Sequence, residues 1–276
     1  CVAPRPIALT STINANGEVN LAPFSFFNVF SANPPVAVFS PARRGRDASV
    51  KHTYLNVKSV PECVINIVSF DMLQQMNITS TEYASGVNEF VKSGFTQAPS
   101  IHVKPPRVAE SPAQLECRVN DVIELGTGGA AGNLVICEVL AIHVRDEVMD
   151  EQGRISPAKM DHVARMGGHW YSRANAGLFE LPQPVDRIAL GWDALPMQFR
   201  QSAILTGNQL GQLAAVESIP DETRVNEYKL LELDELFMSH DGEPRKLEEA
   251  LHRRAAQLLD AGKVEDAWLT LLAFNG

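Results

Sequence analysis

The sequence predicts a mainly β domain with inserted helices, a small antiparallel barrel, followed by an acidic and mainly helical C-terminal extension. Three observations carry that reading. Between Ile7 and Met149 the apolar residues fall in extended runs punctuated by turn residues, without the regular alternation of strand and helix that a doubly wound sheet needs. Helical spacing is confined to short insertions between those runs. Beyond about residue 187 the pattern becomes amphipathic, and residues 187–276 carry a net charge of −6 against −3 for residues 1–186. The expected division is therefore a barrel domain over 1–186 and an extension over 187–276.

Taken in order, IALTSTI, LAPFSFFNVF and VAVFS read as three extended segments separated by Asn16-Gly17 and by Asn33-Pro34-Pro35. The polar, basic stretch PARRGRDASVKHTYLNVKSV, with Leu55 and Val57 turned inward, reads as a loop leading into a short helix. ECVINIVSF follows as a buried strand, and DMLQQMNI and VNEFVKSG read as helices. After Lys104-Pro105-Pro106 two long strands, LECRVNDVIELG and NLVICEVLAIHVRDEVM, flank the loop Gly126–Gly132. In the tail, Pro244 can open a helix whose Leu247, Ala250, Leu251, Ala255, Leu258 and Leu259 share a face. Gly262 can end it, and Val264, Ala267, Trp268, Leu271 and Leu272 repeat the pattern, which predicts a helical hairpin.

Composition narrows the functional classes. The chain has 276 residues, 45% of them apolar, enough for a sizeable core, and its net charge of −9 argues against a general binder of nucleic-acid backbone. No apolar run reaches the roughly 18 residues of a membrane helix, and the opening CVAPRPIALTST lacks the plan of a signal peptide. Cys1, Cys63, Cys117 and Cys137 lie far apart. They read as small buried hydrophobes of a reducing cytoplasm rather than as a zinc site or disulfide framework.

The glycines of Gly126–Gly132 have the wrong spacing for a dinucleotide fingerprint, and a strand follows where that motif needs a helix. No P-loop and no nucleophile elbow is present, and the seven histidines form no close metal-ligand pair, so no metal is expected. His162 and His169 flank Arg165 and Gly167-Gly168, a ligand contact or an ordinary surface turn. The more informative constellation joins Ser25, Asn28 and Ser40 to Arg43, Arg44, Arg46, Lys51 and Thr53. Hydroxyls and an amide can donate to one phosphate, cations supply countercharge, and the helix opening near Thr53 adds its positive end. A solvated basic loop is the competing explanation.

PRPIALTSTINANGEVNLAPFSFFNVFSANPPVAVFS, then VKHTYLNV, then ECVINIV, in that order and spacing, resemble the flavin reductase-like family with an FMN-binding split barrel. HVARMGGHWYS is similar to the segment that closes the family's flavin pocket, so the resemblance covers about residues 3–180. It implies a six-stranded antiparallel split barrel, a homodimer, and FMN, bound or as a substrate, near the subunit interface. Ser25, Asn28, Lys51 and Thr53 become phosphate contacts. Backbone from Ala22 through Phe24, Ser25 and Phe26 would line the flavin, with Ser11, Thr12, Ser40, His162 and Arg165 nearby. No side chain is expected to be catalytic. The implied reaction is hydride transfer from NAD(P)H to flavin, with reduced flavin passed to a monooxygenase or another acceptor protein. The alternatives are an FMN-containing electron carrier without efficient NAD(P)H turnover and an interaction protein built on the acidic tail. One departure stands out: relatives usually carry Asp between the Lys and Thr of the helix-opening motif, and this chain has His52.

Overall fold

The computed structural model describes residues 1–181, 183 and 188–274. The chain divides into two compact units, Cys1–Phe179 and Glu180–Gly276. The boundary expected between 186 and 187 falls outside the described residues.

The first unit runs β1 (Arg5–Pro6), β2 (Ala8–Ile13), β3 (Val19–Phe24), β4 (Phe27–Ala32), β5 (Pro35–Phe39), α1 (His52–Ser59), β6 (Glu62–Ile67), α2 (Leu73–Ile78), α3 (Glu89–Ser93), β7 (Gln97–Ala98), β8 (Arg107–Val108), β9 (Ala113–Glu124), β10 (Asn133–Val144), α4 (Pro157–Met160), β11 (Val163–Gly167) and β12 (Trp170–Arg173). Its main sheet has seven strands in the order β3-β2-β6-β9-β10-β5-β4, all neighbours antiparallel. The expectation of six strands is thus corrected to seven. LAPFSFFNVF, read as one extended segment, breaks at Ser25-Phe26, and its halves become the two edges of the sheet.

That break forces the curvature. Only two residues join β3 to β4, so the opposite edges of the sheet approach within about 11 Å there at 3.8 Å per residue, and the sheet curls on itself. Apolar alternation fills the interior: Phe24 and Phe39 stack at 5.4 Å between ring centres, and Ile65, Val135 and the thiols of Cys63, Cys117 and Cys137 pack with them. The three cysteines are buried, as small hydrophobes should be, while Cys1 is exposed. The hydrogen-bonding neighbour thiols and burial raise the Cys63 pKa, which keeps it neutral. On the outer face, Leu9, Leu21, Met72, Met76, Phe90 and Phe95 seat α2 and α3 against the sheet. β9 and β10 form the long hairpin read from the sequence, with residues 126–132 as its connection.

Glu116 ties the loop after β7 to β9. Its fully buried carboxylate accepts from the amides of Ile101 (2.8 Å) and His102 (2.6 Å) and pairs with His143 Nε2 at 2.7 Å. Burial by itself would raise the Glu116 pKa, and these donors outweigh it, leaving the group below the ordinary carboxylate value. A depressed folded-state pKa contributes stability that is present above the unfolded value and is lost as pH falls through the folded one. Glu116→Gln should therefore destabilise the protein at neutral pH and flatten the decline of its thermal midpoint between about pH 5 and pH 3. Parallel midpoint curves for variant and wild type would contradict this role.

The second unit is helical: α5 (Met197–Arg200), α6 (Gly207–Ala214), α7 (Glu222–Glu232), α8 (Asp234–Ser239), α9 (Pro244–Asp260) and α10 (Val264–Leu272). Pro244 opens α9 at its first turn, and Gly262, at φ +74°, sits between the last two helices as the sequence predicts. Leu251, Ala255, Leu258 and Leu259 of α9 and Ala267, Trp268 and Leu271 of α10 are buried, so the hairpin packs within its own unit, against Leu210 and Leu213 of α6. A reciprocal capping box between Thr206 and Gln209 fixes the start of α6. No described helix is long and apolar enough to cross a membrane.

Candidate functional site

Two adjoining clefts lie along β3. The first is bounded by Asn20, Ala22 and Pro23 of that strand, by Lys51, His52 and Thr53 at the start of α1, and by Arg44 and the segment Thr79–Tyr83 after α2. The start of α1, a helix buried along one side, carries no side-chain cap. Lys51 is its N-cap and makes no side-chain cap bond, and no acid occupies the first turn. The helical bonds begin with Tyr54 N donating to Lys51 O at 3.1 Å, so the amides of His52 and Thr53 precede the first of them. Burial, then the nearby Arg44 guanidinium, pull the Lys51 pKa down, and the Glu82 carboxylate offsets them only in part. Among the described residues Lys51 forms no ion pair, so an anion seated here would relieve both effects.

A buried polar chain holds this helix start in place. Thr53 Oγ1 donates to Asn20 Oδ1 at 2.8 Å, Asn20 Nδ2 donates to Glu89 Oε1 at 2.9 Å, and the Leu21 amide donates to Glu89 Oε2 at 2.9 Å. Burial raises the Glu89 pKa, opposed by the bonds from Leu21 and Asn20. The resemblance places Thr53 at a phosphate. Its hydroxyl is committed to Asn20, and what it offers the cleft is its backbone N–H. Of the three arginines, Arg44 lines the cleft, anchored by Val50 O at 2.7 Å and Glu82 at 3.1 Å. Arg46 pairs with Glu82 at 2.7 Å, and Arg43 turns to Ala48 O and Glu124.

The second cleft shares Pro23 and Ser80 with the first and continues over Ile7, Phe24, Ser25 and Met76 to Arg165 and Tyr171. Arg165 and Tyr171 face each other across the β11–β12 pair, where Nη1 donates to the tyrosine hydroxyl at 2.8 Å and the guanidinium lies 4.8 Å from the ring centre. Ser25 Oγ accepts a long bond from Arg5 Nε at 3.4 Å, and Phe26, 60% exposed, lies under the same guanidinium.

Ala22, Phe24, Ser25, Lys51, Thr53 and Arg165 are thus brought together along the two clefts, while Phe26 stands at their margin. Ser11, Thr12, Asn28, Ser40 and His162 line neither. Ser11 and Thr12 belong to a strand flanked on both sides: Ser11 Oγ donates to Pro106 O at 2.5 Å, and Thr12 Oγ1 accepts from Asn56 at 3.0 Å. Asn28 is carried to the opposite sheet edge by the break at Ser25-Phe26 and accepts from the Val29 amide. Ser40 Oγ accepts from the Asn133 amide at 3.0 Å, pinning the β9–β10 hairpin. His162 bridges to Ser69. Sequence reasoning passed over Asn20, Glu89 and the run Thr79-Ser80-Thr81. The last has a readable signal, three hydroxyls between two helices; the first two have none, because they meet only through the fold.

An uncapped helix start, a lysine and an arginine beside amides, and an adjoining cleft with an apolar floor fit a group that carries a phosphate at one end and a flat ring at the other. The chain matches the family described as "Flavin reductase like domain" over residues 2–159. It is 38% identical over 173 residues to a protein of Aquifex aeolicus (strain VF5), covering 63% of this chain and 86% of that one. Among solved structures it is similar to nitrilotriacetate monooxygenase component B from Bacillus cereus, with 28% identity, a TM-score of 0.61, and coverage of 65% of this chain and 88% of that one. It is also similar to the 2-nitrobenzoate 2-nitroreductase NbaA of Pseudomonas fluorescens, with 28% identity, a TM-score of 0.59, and coverage of 69% and 90%.

Proposed function

Because the chain belongs to the flavin reductase-like domain family, we propose that it is an FMN-dependent oxidoreductase that takes hydride from NAD(P)H. The observation that carries the reading is the uncapped start of α1 beside Lys51 and Arg44, which suits the FMN phosphate. The amides of His52 and Thr53 would meet the phosphate oxygens, and Lys51 and Arg44 would balance their charge. Ser25, Phe24, Arg165 and Tyr171 would receive the ring. When bound, FMN supplies the two-electron chemistry that the side chains lack. The protein's contribution is to fix the ring against Pro23 and Phe24, keep water from its covered face and set the approach of the donor. His52 lines the same cleft and would present an imidazole rather than a carboxylate to the phosphate end.

A homodimer belongs to the same reading. Edge strand β4 presents Val29 and Phe30, 52% and 70% exposed, beside Phe26, an apolar face suited to a second copy. Passage of reduced flavin to a monooxygenase in the cytoplasm is the proposed use, supported by the likeness to a monooxygenase component B. The test is anaerobic addition of NADH or NADPH to the FMN-loaded protein. Bleaching of the visible flavin band by one equivalent of donor, and renewed consumption of donor once air is admitted as the acceptor, is expected. Flavin that binds and stays oxidised with both donors would overturn hydride transfer and leave an electron carrier.

A further inference from the structure

A third cleft adjoins the second at the Arg165–Tyr171 pair. It is lined by Leu73, Gln74 and Asn77 of α2 and by Arg165, His169 and Tyr171 of the β11–β12 hairpin, so it shares Asn77, Arg165 and Tyr171 with the second cleft. Beyond the shared residues it adds the polar side chains of Gln74 and His169. One guanidinium, one imidazole and two side-chain amides face it, and among the described residues no carboxylate does, in a chain whose net charge is −9.

Arg165 is held as a fixed fork rather than a loose surface cation. Nη1 donates to Tyr171 at 2.8 Å, Nη2 donates to Gly168 O at 2.8 Å, and the plane lies over the tyrosine ring. The hairpin is shaped for this bond: Gly167 and Gly168 take φ values of +139° and +52°, which brings the Gly168 carbonyl back onto its own strand's arginine. Among the described residues Arg165 has no carboxylate partner. A preorganised guanidinium without an acid suits a phosphate oxygen better than a flexible lysine would.

We propose that this third cleft binds the diphosphate of the dinucleotide hydride donor, so that donor and flavin meet at the shared wall of Asn77, Arg165 and Tyr171. The inference rests on the flavin reading given above, in which the second cleft receives the ring. It adds a docking site for the second substrate, which no nucleotide-binding fingerprint in the sequence supplies.

The test uses residues of the third cleft that do not line the second. Gln74 and His169 are both exposed, so Gln74→Glu and His169→Glu can place a carboxylate in the cleft without disturbing the core. Each should raise the KM for NADH and for NADPH by about tenfold, through like-charge repulsion, while the Kd for FMN stays within about twofold of wild type. Equal effects on the two donors support the diphosphate assignment, whereas an effect confined to NADPH would overturn it in favour of that donor's additional phosphate. Unchanged KM values in both variants, or an FMN Kd that weakens by the same factor, would overturn it. If the wild type takes up no FMN, nicotinamide fluorescence titrated against the flavin-free protein separates the two readings. NADH binding weakened by Gln74→Glu keeps this cleft and abandons the flavin, and binding that is absent or indifferent to the variant overturns the cleft as well.

Discussion

Lys51→Ala should weaken FMN binding by about 10- to 100-fold, the range expected when a hydrogen bond to a charged group is removed. The magnitude follows from position. Lys51 caps α1 without a side-chain cap bond, stands beside Arg44, and has a pKa lowered by burial and by that arginine. It is a strained cation that a phosphate would satisfy, and its truncation removes charge without leaving a buried acid unpaired. Lys51→Arg, which keeps the charge, should retain most of the affinity. The check is fluorescence titration of FMN into each variant at fixed ionic strength, because the effect is electrostatic and weakens with salt. An alanine variant that binds as tightly as wild type would move the phosphate elsewhere.

Trp268→Ala should cost the C-terminal unit about 3–5 kcal/mol, the usual range for deleting a fully buried aromatic side chain. Trp268 is 1% exposed, packs edge-on against Phe199 at 5.7 Å between ring centres, and donates Nε1–H to Leu213 O at 3.1 Å. Its loss opens a cavity where α6 and α10 meet and removes a cross-helix hydrogen bond. The other two tryptophans, Trp170 and Trp192, are 79% and 47% exposed, so the variant should also lose the blue-shifted part of the emission. Urea unfolding followed by circular dichroism checks the stability. A shift below about 1 kcal/mol would mean that this core can collapse around the vacancy.

Much of the architecture is legible because it is periodic. The β9–β10 hairpin, the buried cysteines of the barrel and the amphipathic α9 and α10 follow from apolar spacing and from turn residues such as Gly262. The break at Ser25-Phe26 does not, because FSFFNVF is as β-prone after the break as before it, and only closure of the sheet shows that the two halves belong to opposite edges. That single feature decides the seventh strand and carries Asn28 away from the clefts.

At the candidate site, the position of Lys51 could be read locally, since it opens a helix that the sequence itself predicts. Thr53, Ser11 and Ser40 could not, because what a hydroxyl does depends on which acceptor or donor the fold supplies: Asn20, Pro106 O and the Asn133 amide. Glu89 has the same difficulty in stronger form. Its contacts are on β3, some 68 residues away in sequence, and nothing near it in the chain distinguishes it from a solvated helix-start acid.

The central claim is that the start of α1 holds a flavin by its phosphate. Parallel titrations of FMN and riboflavin, which differ only in that phosphate, into wild type and Lys51→Ala test it most directly. The account predicts that wild type binds FMN at least about 100-fold more tightly than riboflavin, and that Lys51→Ala narrows the gap by lowering FMN affinity alone. Equal affinities for the two flavins in the wild type, or no uptake of either, would contradict it.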